Sequence, residues 1–250
     1  MLAEVDAVDD LTLTTNGFLL GAQAKGLKAA GLQRITVSLD SLDDEVFGQM
    51  NGLGLPVKRV LEGIEAAATA GLSPIKVNCV VQHGVNDHTM VDLARHFKGT
   101  GVILRFIEYM DVGNHNGWRA DEVLPAAEIV AQISRELPLE RAEANYFGEV
   151  ANRYRYVDGS GEIGVIASVT QPFCASCTRG RLSPQGRLFT CLFGAAGKDL
   201  RGPLRAGASD EDLTSLVSGV WQARTDRYSE LRASLSPPRR HKVEMFQIGG

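Results

Sequence analysis

Strand-like and helix-like runs alternate through residues 1–137, and that alternation restricts the chain to very few folds. Leu11–Thr15, Ile35–Asp40 (ITVSLD), Ile75–Val81 (IKVNCVV) and Val102–Tyr109 (VILRFIEY) read as strands. Leu19–Ala30, Val57–Ala70, Thr89–Phe97 and Leu124–Glu136 have helical composition. A strand, a crossover helix and a further strand make a parallel pair, so the pattern predicts βαβ units. A barrel and an open doubly wound sheet both satisfy it. Four such units are too few to close an eight-unit barrel. The first strand also follows Met1 almost directly, so the chain reads as starting partway through its fold.

The character changes after Pro138. Arg153–Val157 and Glu162–Thr170 are strand-like around the turn signal Asp158-Gly159. Arg181–Ser183 and Arg187–Cys191 read as hairpin arms around Pro184-Gln185-Gly186. Asp210–Thr225 is helical, with Ser209 or Asp210 as N-cap. Ser234–Lys242 is polar and contains prolines, which predicts an irregular tail. The expected organisation is an α/β region of βαβ units over 1–137 and a β-rich C-terminal region over 138–250.

Within that second region, Cys174, Cys177 and Cys191 form C-x2-C-x13-C. Two thiols on a tight turn and a third returned by a hairpin can grip one metal centre, and Arg179 and Arg181 beside them favour thiolates. Structural zinc asks for four protein ligands, and the nearest remaining candidate, His241, is distant. A four-iron cluster with one iron left open needs only the three. Spacing leaves both metals standing. Cys79, alone in an apolar strand, reads as a small buried hydrophobe. Asp40, Asp43 and Asp44 read as charges at a helix N-terminus and not as a cation site.

Charge and hydropathy narrow the function classes. The net charge is −4 and the pI about 5.8, and no aromatics interleave with basic runs, so nothing points to nucleic acid. No apolar run is long enough to span a bilayer. The start carries Glu4, Asp6, Asp9 and Asp10 without early Lys or Arg, unlike a secretory signal. With four cysteines in this setting, reduced thiols or metal ligands and a cytoplasmic location are expected.

LTTNG (Leu13–Gly17), VSLDS (Val37–Ser41), IKVN (Ile75–Asn78), RFIEYMDVGN (Arg105–Asn114), FCASCTRGRLS (Phe173–Ser183), GRLFTCLF (Gly186–Phe193) and the terminal Gly249-Gly250 follow one another along the chain. In this order they resemble the GTP 3′,8-cyclase family of molybdenum cofactor biosynthesis, over essentially the whole sequence. The resemblance implies an incomplete radical-SAM TIM-type barrel with two four-iron clusters. One, on C-x3-C-x2-C, cleaves S-adenosylmethionine; the other, C-terminal, holds the substrate. A deoxyadenosyl radical then removes the ribose 3′ hydrogen of GTP. The carbon radical attacks C8 of guanine, giving 3′,8-cyclo-7,8-dihydro-GTP for the downstream cyclic pyranopterin monophosphate synthase.

Neither C-x3-C-x2-C nor a GGEP-like segment occurs in these 250 residues. The sequence therefore resembles an N-truncated member, with negligible turnover expected from these residues alone and the second cluster expected only in a full-length protein.

By the same resemblance, Cys174, Cys177 and Cys191 bind the substrate-side cluster. Thr14, Lys76, Arg179, Gly180 and Arg181 match GTP contacts, and Ser38 and Met110 match S-adenosylmethionine contacts. Arg105, read as sharing a strand with Met110, is placed to approach the S-adenosylmethionine carboxylate. Gly249 and Gly250 match a tail that reaches the active site. Each has a plain alternative. A threonine suits any strand, a strand-end lysine snorkels to solvent, and two arginines on a turn make an ordinary solvated surface. The family leans towards a homodimer. The competing functions are a zinc-stapled binding module and another radical enzyme with an auxiliary cluster.

Overall fold

A computed structural model describes residues 1–232 and 243–248. The chain divides into two units, Met1–Tyr109 with Ala120–Thr170 and Met110–Arg119 with Gln171–Gly250. Ser234–Lys242, expected as an irregular tail, falls outside the described residues.

In the first unit the elements run β1 (Thr12–Thr15), α1 (Leu20–Ala29), β2 (Arg34–Ser38), α2 (Asp44–Asn51), α3 (Val57–Thr69), β3 (Ile75–Val81), α4 (Met90–Phe97), β4 (Ile103–Glu108), α5 (Ala126–Glu136), β5 (Leu139–Ala142), β6 (Asn152–Tyr156) and β7 (Glu162–Ile166). They form one sheet in the order β1-β2-β3-β4-β7-β6-β5. The first five of these positions are parallel, and β6 and β5 add antiparallel strands at the far edge. Strands β1 to β4 lie side by side in chain order. A doubly wound sheet would reverse direction partway. This is the winding of a barrel that does not close, as the sequence leads one to expect.

Period decides which face is covered. In β3, Ile75, Val77, Cys79 and Val81 are buried while Lys76, Asn78 and Val80 alternate with them on the opposite face. The apolar stripes of α3 (Val57, Val60, Ile64, Ala67), α4 (Met90, Leu93, Ala94, Phe97) and α5 (Ala126, Ile129, Ile133) complete the same core. The helix α2 was not read from the sequence, although its start was. Asp43 caps it, accepting from the amides of Glu45 (2.9 Å) and Val46 (3.0 Å), and Asp44 lies in its first turn. Asp40 does not belong to that cluster: its carboxylate accepts from the Val80 amide at 2.8 Å, across the end of the sheet.

Glu108, the last residue of β4, is fully buried and accepts from the amides of Ala126, Val169 and Thr170 and from the Thr170 hydroxyl. It ties the start of α5 and the segment after β7 to one strand end. Beyond residue 137, β5 to β7 continue the first sheet.

The second unit holds β8 (Arg181–Leu182), β9 (Arg187–Phe189) and β10 (Lys198–Asp199) in a small antiparallel sheet, order β10-β9-β8, with α6 (Arg201–Arg205), α7 (Asp210–Gln222) and α8 (Tyr228–Leu231). A capping box at Ser209 with Asp212 starts α7. The buried Asp111 accepts from the Tyr228 hydroxyl (2.5 Å) and Arg232 Nε (2.9 Å), while Phe193 stacks on Tyr228 at 4.5 Å. Those contacts join residues 110–119 to α8 in one core.

Candidate functional site

Strand register gathers the polar side chains of the first unit into rows. Thr14 pairs with Thr36 and Thr36 with Lys76, so three adjacent strands present these side by side on one face. One pleat further on, Ser38 pairs with Asn78, Asn78 with Arg105 and Arg105 with Gly164. This is the face opposite the helix-packed core. Thr14, Ser38, Lys76 and Arg105 therefore share one surface, although no two of them are close in sequence.

Arg105 is the best fixed of the four. Its Nε donates to Asn78 Oδ1 at 2.9 Å and its Nη2 reaches Thr36 Oγ1 at 3.5 Å. Its stem lies over Gly164, where an added Cβ would come within 3.1 Å of Arg105 Cγ. Burial pushes the Lys76 amine below its ordinary pKa, and the Arg105 and Arg34 cations push the same way against Glu149 and Asp10. A half-buried lysine beside two arginines is a place where an anion is welcome. At the strand ends beyond it, Asp40 has its carboxyl raised to about 6, by burial, against the lowering effect of the Val80 amide. Glu149, on the loop before β6, faces Lys76, Arg105 and Arg153 electrostatically. No sequence signal marks it, because its place follows only from the fold of a long loop.

Met110 is not on the strand of Arg105, contrary to the expectation. The strand β4 ends at Glu108, and Met110 opens the second unit, its carbonyl accepting from Asn116 Nδ2 at 2.8 Å. The strand ends on the buried Glu108, whose carboxylate takes the amides of Ala126, Val169 and Thr170.

In the second unit the cysteines flank the small sheet. Cys174 begins a 3-10 turn, Cys177 ends it, and Cys191 lies just beyond β9. All three are free and partly buried, whereas Cys79 is fully buried on its strand. Burial alone would raise the Cys177 thiol. The Arg179 backbone amide, the Arg179 side chain (Nε to Sγ 3.4 Å) and Arg224 outweigh it and bring the thiol down to about 7. Cys191 is raised, chiefly by burial, and the Asp226 and Cys174 charges add to that while Arg181 opposes it. Arg181 is itself half-buried, within electrostatic reach of Cys177 and Cys191. Arg179 lies 5.0 Å over the Phe173 ring. A Cβ at Gly180 would meet only ordinary contacts, at 3.7 Å and beyond, so packing within the unit does not require this glycine.

The donor set, three thiols among arginines, suits a soft metal centre. Among the described residues no group of three His, Cys, Asp or Glu side chains is drawn together closely enough to hold a metal ion by itself. His241, the distant zinc-ligand candidate, and Gly249 and Gly250 lie outside the described residues. No described helix is long and apolar enough to cross a membrane.

Comparison with known proteins matches residues 1–97 to the Radical SAM superfamily and residues 102–230 to Molybdenum Cofactor Synthesis C. A GTP 3′,8-cyclase of Acidothermus cellulolyticus is 50% identical over 274 aligned positions, which take in 100% of this chain and 76% of that protein. The GTP 3′,8-cyclase of Xanthomonas campestris pv. campestris (strain B100) is 49% identical, covering 100% and 73%, and that of Staphylococcus aureus (strain MRSA252) 41%, covering 100% and 74%. Among solved structures, a radical SAM methyltransferase from Sphaerobacter thermophilus overlaps 50% of this chain and 36% of its own at 19% identity, with a TM-score of 0.40, too slight a likeness to build on. The fold is thus that of a radical SAM enzyme, a class that uses a four-iron cluster and S-adenosylmethionine. Within that class, the chain belongs to the GTP 3′,8-cyclase family of molybdenum cofactor biosynthesis.

Proposed function

We propose that this chain serves the conversion of GTP to 3′,8-cyclo-7,8-dihydro-GTP, with S-adenosylmethionine as radical source, and that Cys174, Cys177 and Cys191 hold a four-iron cluster on the substrate side. The observation that carries this reading is that three thiols share one small unit with Arg179, Arg181 and Arg224, whose cations favour thiolates there. When bound, the cluster supplies an iron with an open position for a guanine donor.

The chain's own residues bind and orient. In this reading Thr14, Lys76, Arg179, Gly180 and Arg181 are the residues that match GTP contacts. The arginines offer forked donors to phosphate oxygens, and Lys76 offers a point charge. Ser38, Arg105 and Met110 are the S-adenosylmethionine contacts, with Arg105 already held by Asn78 and so oriented before a ligand arrives. The product passes to an enzyme that rearranges the cyclic nucleotide. The cytoplasm keeps such thiols reduced and is the compartment this chemistry needs.

Anaerobic reconstitution tests the reading. The 250-residue chain is expected to take up about four irons, with an electron paramagnetic resonance spectrum that GTP changes and ATP does not. Zinc in place of iron, or a spectrum blind to GTP, overturns it.

A further inference from the structure

Cys177 lies before the first paired residue of β8 and Cys191 beyond the last paired residue of β9, where the register Arg181↔Phe189 ends. The hairpin therefore fixes its own root but not the two thiol-bearing arms. A turn bond from the Cys177 amide to the Cys174 carbonyl (3.3 Å) holds the first two cysteines to each other, while Cys191 has its own turn, the Gly194 amide donating to its carbonyl at 3.2 Å.

One later segment reaches each of the three cysteines or its chain neighbour. Arg224 Nη1 donates to the Cys177 carbonyl, and Arg224 Nε donates to Asp226 Oδ2 at 3.3 Å. The same carboxylate oxygen accepts from the hydroxyl of Thr190, the neighbour of Cys191, at 2.5 Å. Glu230 Oε1 accepts from the amide of Ala175, the neighbour of Cys174, at 3.2 Å, and Arg227 Nε holds its other oxygen at 2.5 Å. The Arg224 side chain is only 12% exposed and lies 4.9 Å over the Trp221 ring at the end of α7, so its position is set by the helix it follows.

We propose that Arg224, Asp226 and Glu230 form a clasp that positions the three cysteines, with the Arg224–Asp226 pair setting the place of Cys191 against the Cys174–Cys177 turn. The inference rests on the cluster reading above. These are positioning residues, since none of them is required to be a ligand. Their effect is on how firmly a centre is held and on the symmetry of its surroundings, as outer partners do for other metal sites. The bonds of Arg224 and Asp226 are part-buried, where solvent competes poorly for them, whereas those of Glu230 are exposed and contribute less.

The test uses the full 250-residue chain, reconstituted anaerobically, and compares the rate at which an iron chelator strips it with its electron paramagnetic resonance spectrum. Asp226→Ala and Arg224→Ala are expected to lose iron about tenfold to a hundredfold faster than the parent, with shifted resonances. The far-UV circular dichroism and melting of the metal-free protein should stay unchanged. Arg224→Lys keeps a donor for the Cys177 carbonyl but not the fork to Asp226, and should fall between. Thr190→Val removes one hydroxyl with little change of shape and should move in the same direction. Should Asp226→Ala or Arg224→Ala melt early without metal, Thr190→Val decides, and a parental stripping rate there overturns the clasp. Parental rates and spectra in all variants of a chain that loads iron overturn the clasp and leave the cluster reading intact. A parent chain that loads no iron overturns both.

Discussion

Cys79 and Cys177 carry the same side chain in opposite surroundings. Burial in the sheet core pushes the Cys79 thiol well above its ordinary value, and the Asp40 charge adds to that. Cys177 is brought down to about 7 despite its burial. In the metal-free chain near neutral pH, iodoacetamide is therefore expected to modify Cys177 ahead of Cys191 and to leave Cys79 untouched until the protein unfolds. Peptide mass spectrometry at timed intervals reads the order; Cys79 reacting with the others would mean that its strand is not the closed core described here. The isolation of Cys79 was legible in the sequence, as a lone cysteine in an apolar run. Asp40 was not, because VSLDSLDD reads as one acidic cap while only Asp43 caps and Asp40 turns into the sheet end. Its raised carboxyl has a definite consequence for stability. Below an unfolded carboxylate's ordinary pKa, both states are protonated and nothing is lost. As pH rises through that value towards about 6, the unfolded chain ionises first and the folded state loses stability relative to it. Asp40→Asn keeps an oxygen for the Val80 amide and carries no charge, so it should raise the melting temperature at pH 8 by more than at pH 4. An equal effect at both values would show that Asp40 ionises normally in the fold.

At the scale of elements, the strands and helices of the first 137 residues that obey a clean period were readable to within a residue or two, whereas the expected Glu162–Thr170 strand stops at Ile166 and the expected Asp210–Thr225 helix at Gln222. Ile75–Val81 is observed with the ends expected, since its alternation is uninterrupted. β5 escaped notice because LERA has no apolar alternation and exists as a strand only by pairing with β6 at the sheet edge. Close helix contact was equally invisible, since it depends on what a glycine faces and not on the glycine. Gly63 in α3 shows this. A Cβ there would lie 2.8 Å from the Gly17 carbonyl oxygen and 3.1 Å from Leu20 Cβ, where α3 meets the start of α1. Gly26, inside α1, has nothing within 4 Å of the same added atom. Helix propensity alone favours alanine at both positions by about 1 kcal/mol. At Gly63 the overpacking cost of about 1–3 kcal/mol opposes that gain and exceeds it, because the atom met is rigid backbone. Gly26→Ala should thus raise the urea midpoint and Gly63→Ala should lower it, with similar slopes in both. A stabilised Gly63→Ala would mean that α1 and α3 can move apart without penalty.

For the whole molecule, the division into two units cuts through a motif that reads as continuous. RFIEYMDVGN gives β4 to the sheet and everything from Met110 to the smaller unit. A linear sequence gives no sign of that change of allegiance, which depends on Asp111 meeting Tyr228 and Arg232 more than a hundred residues later. Charge, by contrast, was legible as a global quantity and leads to a final expectation. With a net charge of −4 the chain as a whole repels a nucleotide triphosphate, so binding must come from a local cationic field strong enough to overcome it. Lys76 sits in such a field and is held below its ordinary pKa by burial, Arg105 and Arg34. An arriving polyanion favours the protonated amine, so the pKa rises on binding and the complex takes up a proton wherever the free lysine is partly neutral. Calorimetric titration with GTP, repeated in buffers of different ionisation enthalpy, should show this uptake growing as the pH is raised. Lys76→Met should weaken GTP binding by about tenfold to a hundredfold, the loss of one charge-assisted contact, and should abolish the buffer dependence. Added salt should weaken binding in the parent more steeply than in Lys76→Met, because one fewer charge is then being screened. Were the uptake to persist unchanged in Lys76→Met, another group on the chain would be answering the nucleotide, and Lys76 would be no more than a lysine on a strand.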